Sequence, residues 1–350
     1  MPAIATAPAT VDARLTTASR IFKGALLFNA ALTAFWLFAM LRGQDSAFAH
    51  GYHVDAAAVG RVFSGILFFY IVWGFVWWGV KALLLQRFVG FTKEERRAAF
   101  SSRMDRPYDV ADLVSRYSER RIRITDMIGR RGRFITLAAA GFYYLYLQVA
   151  QNPQSNFAMG FIQDNLFDAV VTSWVFLGFY YVNGPLGAMF YGPQSRVMDG
   201  VLARANCLLI TTLWSLFKFV MVPIGAQLSV VFSRHEFAGV FAMIWGSYIA
   251  TDACAEIFGS LFGKQRIRVW GVGDVNRKSV AGLVAGFLAA LLLCGGVVMS
   301  QGLGPAWYGL AIVIAVSNSV FELWSPRGTD DFTMATANAL ICLAFGMWFR

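Results

Sequence analysis

From position 280 to 299 the chain reads VAGLVAGFLAALLLCGGVVM, twenty residues without a charged side chain. A helix needs about 20 such residues to cross the hydrocarbon core of a bilayer. Comparable apolar stretches recur at 21–41, 59–85, 134–148, 167–190, 205–232, 237–262, 307–323 and 332–349. The expected fold is therefore an all-α, polytopic transmembrane helical bundle of about nine spans. A soluble domain is excluded by composition, since 57% of the 350 residues are hydrophobic and only 14% are charged. Cys207, Cys254, Cys294 and Cys342 lie within or at the ends of these stretches without metal-ligand spacing. Neither a disulfide framework nor a zinc site is expected.

The polar remainder is basic. Formal charge is +10, and 13 of the 30 cations lie between Arg87 and Arg133 against seven acids. Such a local excess suits a membrane surface or phosphates, and no nucleic-acid partner is expected. Within this region, Thr92 followed by Glu95 reads as a capping box opening a helix at 93–104. Val110, Leu113, Val114, Tyr117, Ile124 and Ile128 recur at near-helical spacing and predict a second amphipathic surface helix. On it, Arg120 and Arg121 either face lipid headgroups or reach a bound phosphate. Four regions follow: a disordered tail at 1–17, an N-terminal transmembrane hairpin at 18–85, the basic cytoplasmic region at 86–133, and a transmembrane catalytic domain at 134–350.

Three residues inside the spans carry separate expectations. Lys81 lies near a span end and is expected to snorkel to the interface. Lys218 is mid-span, where it pairs with Asp252 or Glu256 or with backbone carbonyls. Pro223 is expected to kink the same helix. Orientation follows from cation bias. A cytoplasmic N-terminus puts Arg14, Arg20, Lys23, the 86–133 region, Arg196, Arg204, the 264–279 loop and Arg327 on one side, leaving Arg42 and Arg234 opposite and Arg350 at the terminus.

Chemistry concentrates in TDACAEIFGSLFGKQRIRVWGVGDVNRKSVAG, residues 251–282. Asp252, Glu256, Gly259 and Gly263 stand at i, i+4, i+7 and i+11, so two carboxylates and bare backbone share one helix face. Ionisable residues at membrane depth are costly and mark functional sites. A loop with Lys264, Arg266, Arg268, Arg277 and Lys278 follows, and it enters the next helix near Ser279, where the helix dipole adds positive potential. Glycines alone would suit a GxxxG packing seam, and cations alone would suit membrane anchoring. Together with the acids they offer what a magnesium–phosphate site needs, hard oxygen ligands beside cations. A third element lies in NSVFELWSPRGTDDFTMATANAL, where Asn318, Glu322 and Ser325 fall near one face and Asp330 and Asp331 open the last helix. Helix capping accounts for one such aspartate. The pair, with Glu322, suits metal ligation or general-base chemistry.

These three motifs resemble the CTP-dependent membrane kinases of lipid alcohols: dolichol kinases, phytol kinases and yeast-type diacylglycerol kinase. That family's pattern is D-x-x-A-x-x-x-G-x-x-x-G-(K/R/S), a basic loop ending in N-K/R-K-S-x-x-G, then a downstream E with D-D opening a span. Asp252, Ala255, Gly259, Gly263 and Lys264 match the first part, Asn276, Arg277, Lys278, Ser279, Ala281 and Gly282 the second, and Glu322, Asp330 and Asp331 the third. Phytol kinases look most similar, over roughly the last 110 residues. The family's early R-K-x-x-H-like motif has its nearest analogue at Arg120 and Arg121 with Thr125, and no histidine stands there.

The resemblance implies transfer of the γ-phosphoryl group of CTP, or another NTP, to a prenyl-type alcohol at the cytoplasmic face of a bacterial inner membrane. It implies Mg²⁺ held by Asp252, Glu256, Asp330 and Asp331, and catalysis involving these and Glu322. Nucleotide binding falls to Gly259, Gly263, Lys264, Asn276, Arg277, Lys278, Ser279 and Gly282. Two alternatives are kept. A phosphatidate cytidylyltransferase-like CMP transferase shares the first two motifs but has a C-terminal K-D-x-x-x-x-x-x-P-G-H-G-G run that this chain lacks. A transporter of an anionic solute could use the same charges, although they crowd at one membrane face.

Overall fold

The computed structural model describes residues 11–42, 60, 63–64, 67–101, 110–151, 169–182, 184–269, 276–325 and 329–349. The first helix, α1, spans Val11–Arg42 and buries Ala18 and Ala25. Part of the expected disordered tail, residues 11–17, is therefore helical, as its packing partners allow; residues 1–10 lie outside the described residues. Helix α2, Trp73–Leu84, is flanked by wide turns at Leu67–Val72 and Leu85–Val89. Gly90 ends this stretch with φ of 100°, a left-handed conformation that a Cβ would strain.

Lys81 corrects its expectation. Its side chain is fully buried, pairs with Asp126 at 2.9 Å, and donates to the carbonyls of Gly192, at 3.1 Å, and Ser195. An interior carboxylate and two carbonyls, not water, solvate the ammonium. A buried charge is tolerated on those terms.

The basic region holds three helices, α3 Lys93–Ser101, α4 Val110–Arg116 and α5 Glu119–Gln151, where two were expected. The Thr92–Glu95 capping box is present: the Thr92 amide donates to Glu95 Oε2 at 2.8 Å, and the Glu95 amide donates to Thr92 Oγ1 at 3.2 Å. Helix α5 does not stay on a surface. It presses against α2, where a methyl group added to Gly132 would meet the Trp77 ring at 2.1 Å and one added to Gly129 would meet Lys81 Cδ at 3.0 Å. These two glycines flank Arg130 and Arg131 and bring that turn of helix inward.

The stretch expected as a span at 167–190 divides into α6, Ala169–Phe179, and α7, Gly184–Tyr191. Pro185 cannot donate a backbone hydrogen bond, so it suits a helix start and not a helix middle. The carbonyls left at the end of α6 are met by Arg204, which donates to Tyr180 O at 2.8 Å and to Val182 O at 3.2 Å, and lies 5.3 Å from the Tyr191 ring centroid. Arg204 is 1% exposed, so it bears on packing and not on the charge bias that the orientation used.

A 3₁₀ segment, Val197–Leu202, leads into the C-terminal bundle: α8 Ala203–Val231, α9 Arg234–Phe262, α10 Val280–Ser300, α11 Ala306–Trp324 and α12 Asp330–Trp348. Its core includes Phe217, Met243, Ile244, Tyr248, Cys294, Ile314, Met334 and Cys342. Lys218 lies 5.7 Å from the Trp214 ring centroid. The loop expected at 264–279 is a hairpin. Strand β1, Arg266–Val269, pairs antiparallel with β2, Asn276–Ser279, matching Ile267 with Lys278 and Arg268 with Arg277.

Among the described residues, five helical stretches are long and apolar enough to cross a membrane: Ala13–Phe38, Val197–Met221, His235–Phe262, Val280–Ser300 and Ala306–Trp324. The protein is thus an all-α membrane protein with one short hairpin. The remaining expected spans fall on interrupted or more polar elements: the wide-turned 59–85 stretch, the divided 167–190 stretch, the arginine-led α5, and α12 with aspartates in its first turn.

Candidate functional site

The broadest helix contact in the bundle, α9 against α10, is set by small residues. A methyl group on Gly282 would lie 2.5 Å from Ala255 O, and one on Gly286 would lie 3.0 Å from Thr251 O. Gly259 and Gly263 face Ser279, whose hydroxyl would meet added methyl groups at 2.8 and 2.7 Å. Ser279 caps α10, accepting from the Gly282 amide at 3.1 Å. These four residues, expected to cradle a nucleotide, are packed against one another in the structure. Close backbone approach is what small-xxx-small patterns provide in membranes. The seam fixes Asp252 and Glu256 relative to the hairpin.

Two charged groups meet above this seam. In the first, Asp252 of α9, Glu322 of α11 and Asp330 of α12 each offer a carboxylate oxygen, and these oxygens lie within 4.8 Å of one another. Lys278 of β2 bridges two of them, at 2.5 Å from Glu322 Oε1 and 3.2 Å from Asp330 Oδ2. Burial disfavours the Lys278 charge, but the Glu322 and Asp330 carboxylates outweigh it and hold the ammonium above its ordinary pKa. Among the described residues, no hydrogen-bond partner meets the buried Glu322 Oε2 and Asp331 Oδ1. Neither aspartate caps α12 by a side-chain hydrogen bond; the cap position is Thr329. Both stand in the first turn of α12, where their charge complements the helix dipole.

In the second group, three arginines converge on the α9 acids. Arg131 grips Asp252 with two guanidinium nitrogens, one at 2.7 Å from Oδ1, and places its Nε on Glu256 Oε2. Arg130 reaches Glu256 Oε1 at 2.7 Å and Arg196 reaches the same oxygen at 3.0 Å. Asp252 belongs to both groups. Glu256, expected as a metal ligand beside Asp252, Asp330 and Asp331, is instead engaged by guanidinium groups, while Glu322 joins the acid cluster.

The other expected cations lie elsewhere. Arg120 donates to Leu261 O and Arg121 to Phe88 O, each at 3.4 Å. Lys264, Arg266 and Arg268 are exposed. Asn276 and Arg277 are placed in β2 by backbone register alone. Sequence reasoning missed Arg130, Arg131 and Arg196. A signal existed in GRRG at 129–132: cations between glycines, where a polar helix turns apolar.

One turn deeper, Asn318 Nδ2 and Asn338 Nδ2 both donate to Ser247 Oγ at 3.1 Å, and Asn338 Nδ2 also lies 2.9 Å from Asn318 Oδ1. All three residues are fully buried. This network ties α9, α11 and α12 together below the acids, so the carboxylates are carried on mutually fixed helices.

No family model, no curated protein and no solved structure matches the chain.

Proposed function

We propose that this protein is a membrane phosphotransferase that moves the γ-phosphoryl group of CTP, or another NTP, to the hydroxyl of a prenyl-type lipid alcohol. The observation that carries the reading is the convergence of Asp252, Glu322 and Asp330, from three separate helices, with Lys278 paired to two of them, so that residues of all three motifs meet. Such a set of hard oxygens at the polar ends of apolar helices serves phosphoryl transfer, which depends on positioning and charge neutralisation. The donor set fits Mg²⁺: three carboxylates converge, and one buried Glu322 oxygen lacks a partner. In this reading Asp252, Glu322 and Asp330 would hold the ion, which would supply positive charge against the donor phosphates.

The chain's own groups divide the remaining work. Lys278 places a positive charge beside the acids for the transferred phosphoryl group. Asp331, with an unpartnered buried oxygen, takes the proton of the alcohol as its oxygen bonds to the γ-phosphorus and the bond to the bridging oxygen breaks, releasing the nucleoside diphosphate. The apolar spans hold the acceptor's chain in the bilayer, and the site faces the cytoplasm of a bacterial inner membrane, where nucleotides are.

The test is transfer of label from γ-labelled CTP to a panel of prenyl alcohols by the purified protein. Label on the alcohol supports the kinase. Transfer of α-label instead would indicate a CMP transferase, and solute flux without covalent product would indicate a transporter.

A further inference from the structure

The arginine group gathers three guanidinium groups at one place beside the acid cluster. Arg130, Arg131 and Arg196 face Asp252 and Glu256 at ion-pair distance, the Asp199 and Asp331 carboxylates act on Arg196 and Arg131 from further off, and Asp252 is shared with the acid cluster on its other side. Three guanidinium groups gathered in one partly enclosed place suit an anion able to displace the carboxylates from them. The group is also reachable, with side-chain exposures of 28% at Arg196, 16% at Glu256 and 15% at Arg130. Guanidinium forks match phosphate oxygens two at a time, as they match carboxylates.

We propose that Arg130, Arg131 and Arg196 are the seat of the donor's phosphates, and that Glu256 is their resting counter-ion and not a metal ligand. Incoming phosphate oxygens replace the Glu256 and Asp252 carboxylates on the guanidinium groups. Asp252, released from Arg131, then has both oxygens free toward the Asp252–Glu322–Asp330 cluster. Anion binding and cation binding are thereby coupled through one carboxylate. The inference rests on the phosphotransferase reading for what carries the phosphates, but its own observable is polyphosphate binding, which needs no acceptor alcohol.

The experiment is calorimetric titration of the purified full-length protein with inorganic tripolyphosphate, first without divalent cations and then with Mg²⁺. Wild type is expected to bind without Mg²⁺, and binding is expected to lower the Mg²⁺ concentration needed for half-saturation. Arg131→Gln and Arg196→Gln should each weaken tripolyphosphate binding by tenfold or more, as expected for a lost charge-assisted fork. Glu256→Gln should strengthen it severalfold, because a competing anion is gone. If Arg131→Gln fails to fold, Arg196→Gln decides, since Arg196 is more exposed and meets Glu256 through one nitrogen. Absence of tripolyphosphate binding by wild type, unchanged binding in Arg196→Gln, or weaker binding in Glu256→Gln would each overturn the proposal. Alcohol phosphorylation by a protein with any of those results would leave the kinase reading standing without this seat. Polyphosphate binding with the expected variants, but no labelled alcohol, would do the reverse.

Discussion

Lys81 is buried and Lys278 is half-buried beside carboxylates, yet they serve different ends. Lys81 is held by Asp126 and two carbonyls far from the acid cluster, and it joins α2 to α5 and to the segment after α7. Removing one partner leaves the other charge uncompensated, which costs about 3–5 kcal/mol, whereas replacing both is far milder. Lys81→Met should therefore lower unfolding stability by that amount, and Lys81→Met with Asp126→Asn should recover most of it; equal stability of the two variants in thermal unfolding would refute the coupling. Lys278 instead faces the acids to which the proposed transfer assigns the metal. Beside it, Asp331→Asn keeps the shape of the side chain but not its basicity, so turnover should fall by roughly 10²–10⁴ while tripolyphosphate binding is kept. Full transfer activity in Asp331→Asn would remove this residue from the proton path.

At the scale of elements, the local signals were legible in the sequence and the tertiary ones were not. The capping box at Thr92 and Glu95 needs only four consecutive residues, and it is present as expected. The helices of the C-terminal bundle follow their apolar runs closely, because length and composition suffice for a span. The acids Asp252, Glu322 and Asp330 were legible as chemistry because charges at membrane depth are exceptional. Their partners were not. Arg131 lies 121 residues before Asp252, and nothing local states that Gly129 and Gly132 press α5 inward. The glycines were legible as close approach, but what approaches was not: the structure brings α10 and its cap Ser279 against Gly259 and Gly263. Gly282 and Gly296 separate these cases. A methyl group on Gly282 collides with Ala255 O, while one on Gly296 meets nothing within 4 Å. Gly282→Ala should cost about 1–3 kcal/mol through displaced helices, and Gly296→Ala should be neutral or stabilising by up to about 1 kcal/mol. The comparison is made by unfolding in mixed micelles, and a Gly282→Ala protein as stable as Gly296→Ala would refute the seam.

For the whole molecule, the contacts themselves constrain orientation. Arg120 touches Leu261 O, and Arg130 and Arg131 hold Glu256 and Asp252, so α5 meets the C-terminal half of α9. The basic region and the hairpin after α9 must then lie at the same end of the bundle. Helix α10 leaves that end at Val280 and runs 21 residues to Ser300, a length of about 32 Å, which matches the apolar thickness of a bilayer. Glu94 and Gln265 are exposed at the first end and Ser300 is exposed at the other. Cys207, Cys294 and Cys342 are buried and Cys254 is half-buried, so all four are replaced by alanine before labelling. In that background, Glu94→Cys and Gln265→Cys should react with a membrane-impermeant maleimide from the cytoplasmic side only, and Ser300→Cys from the opposite side only. Reaction of Ser300→Cys from the same side as Gln265→Cys would show that α10 does not cross. Reaction of Glu94→Cys and Gln265→Cys from opposite sides would break the contact between α5 and α9, and with it the meeting of arginines and carboxylates on which the phosphate seat depends.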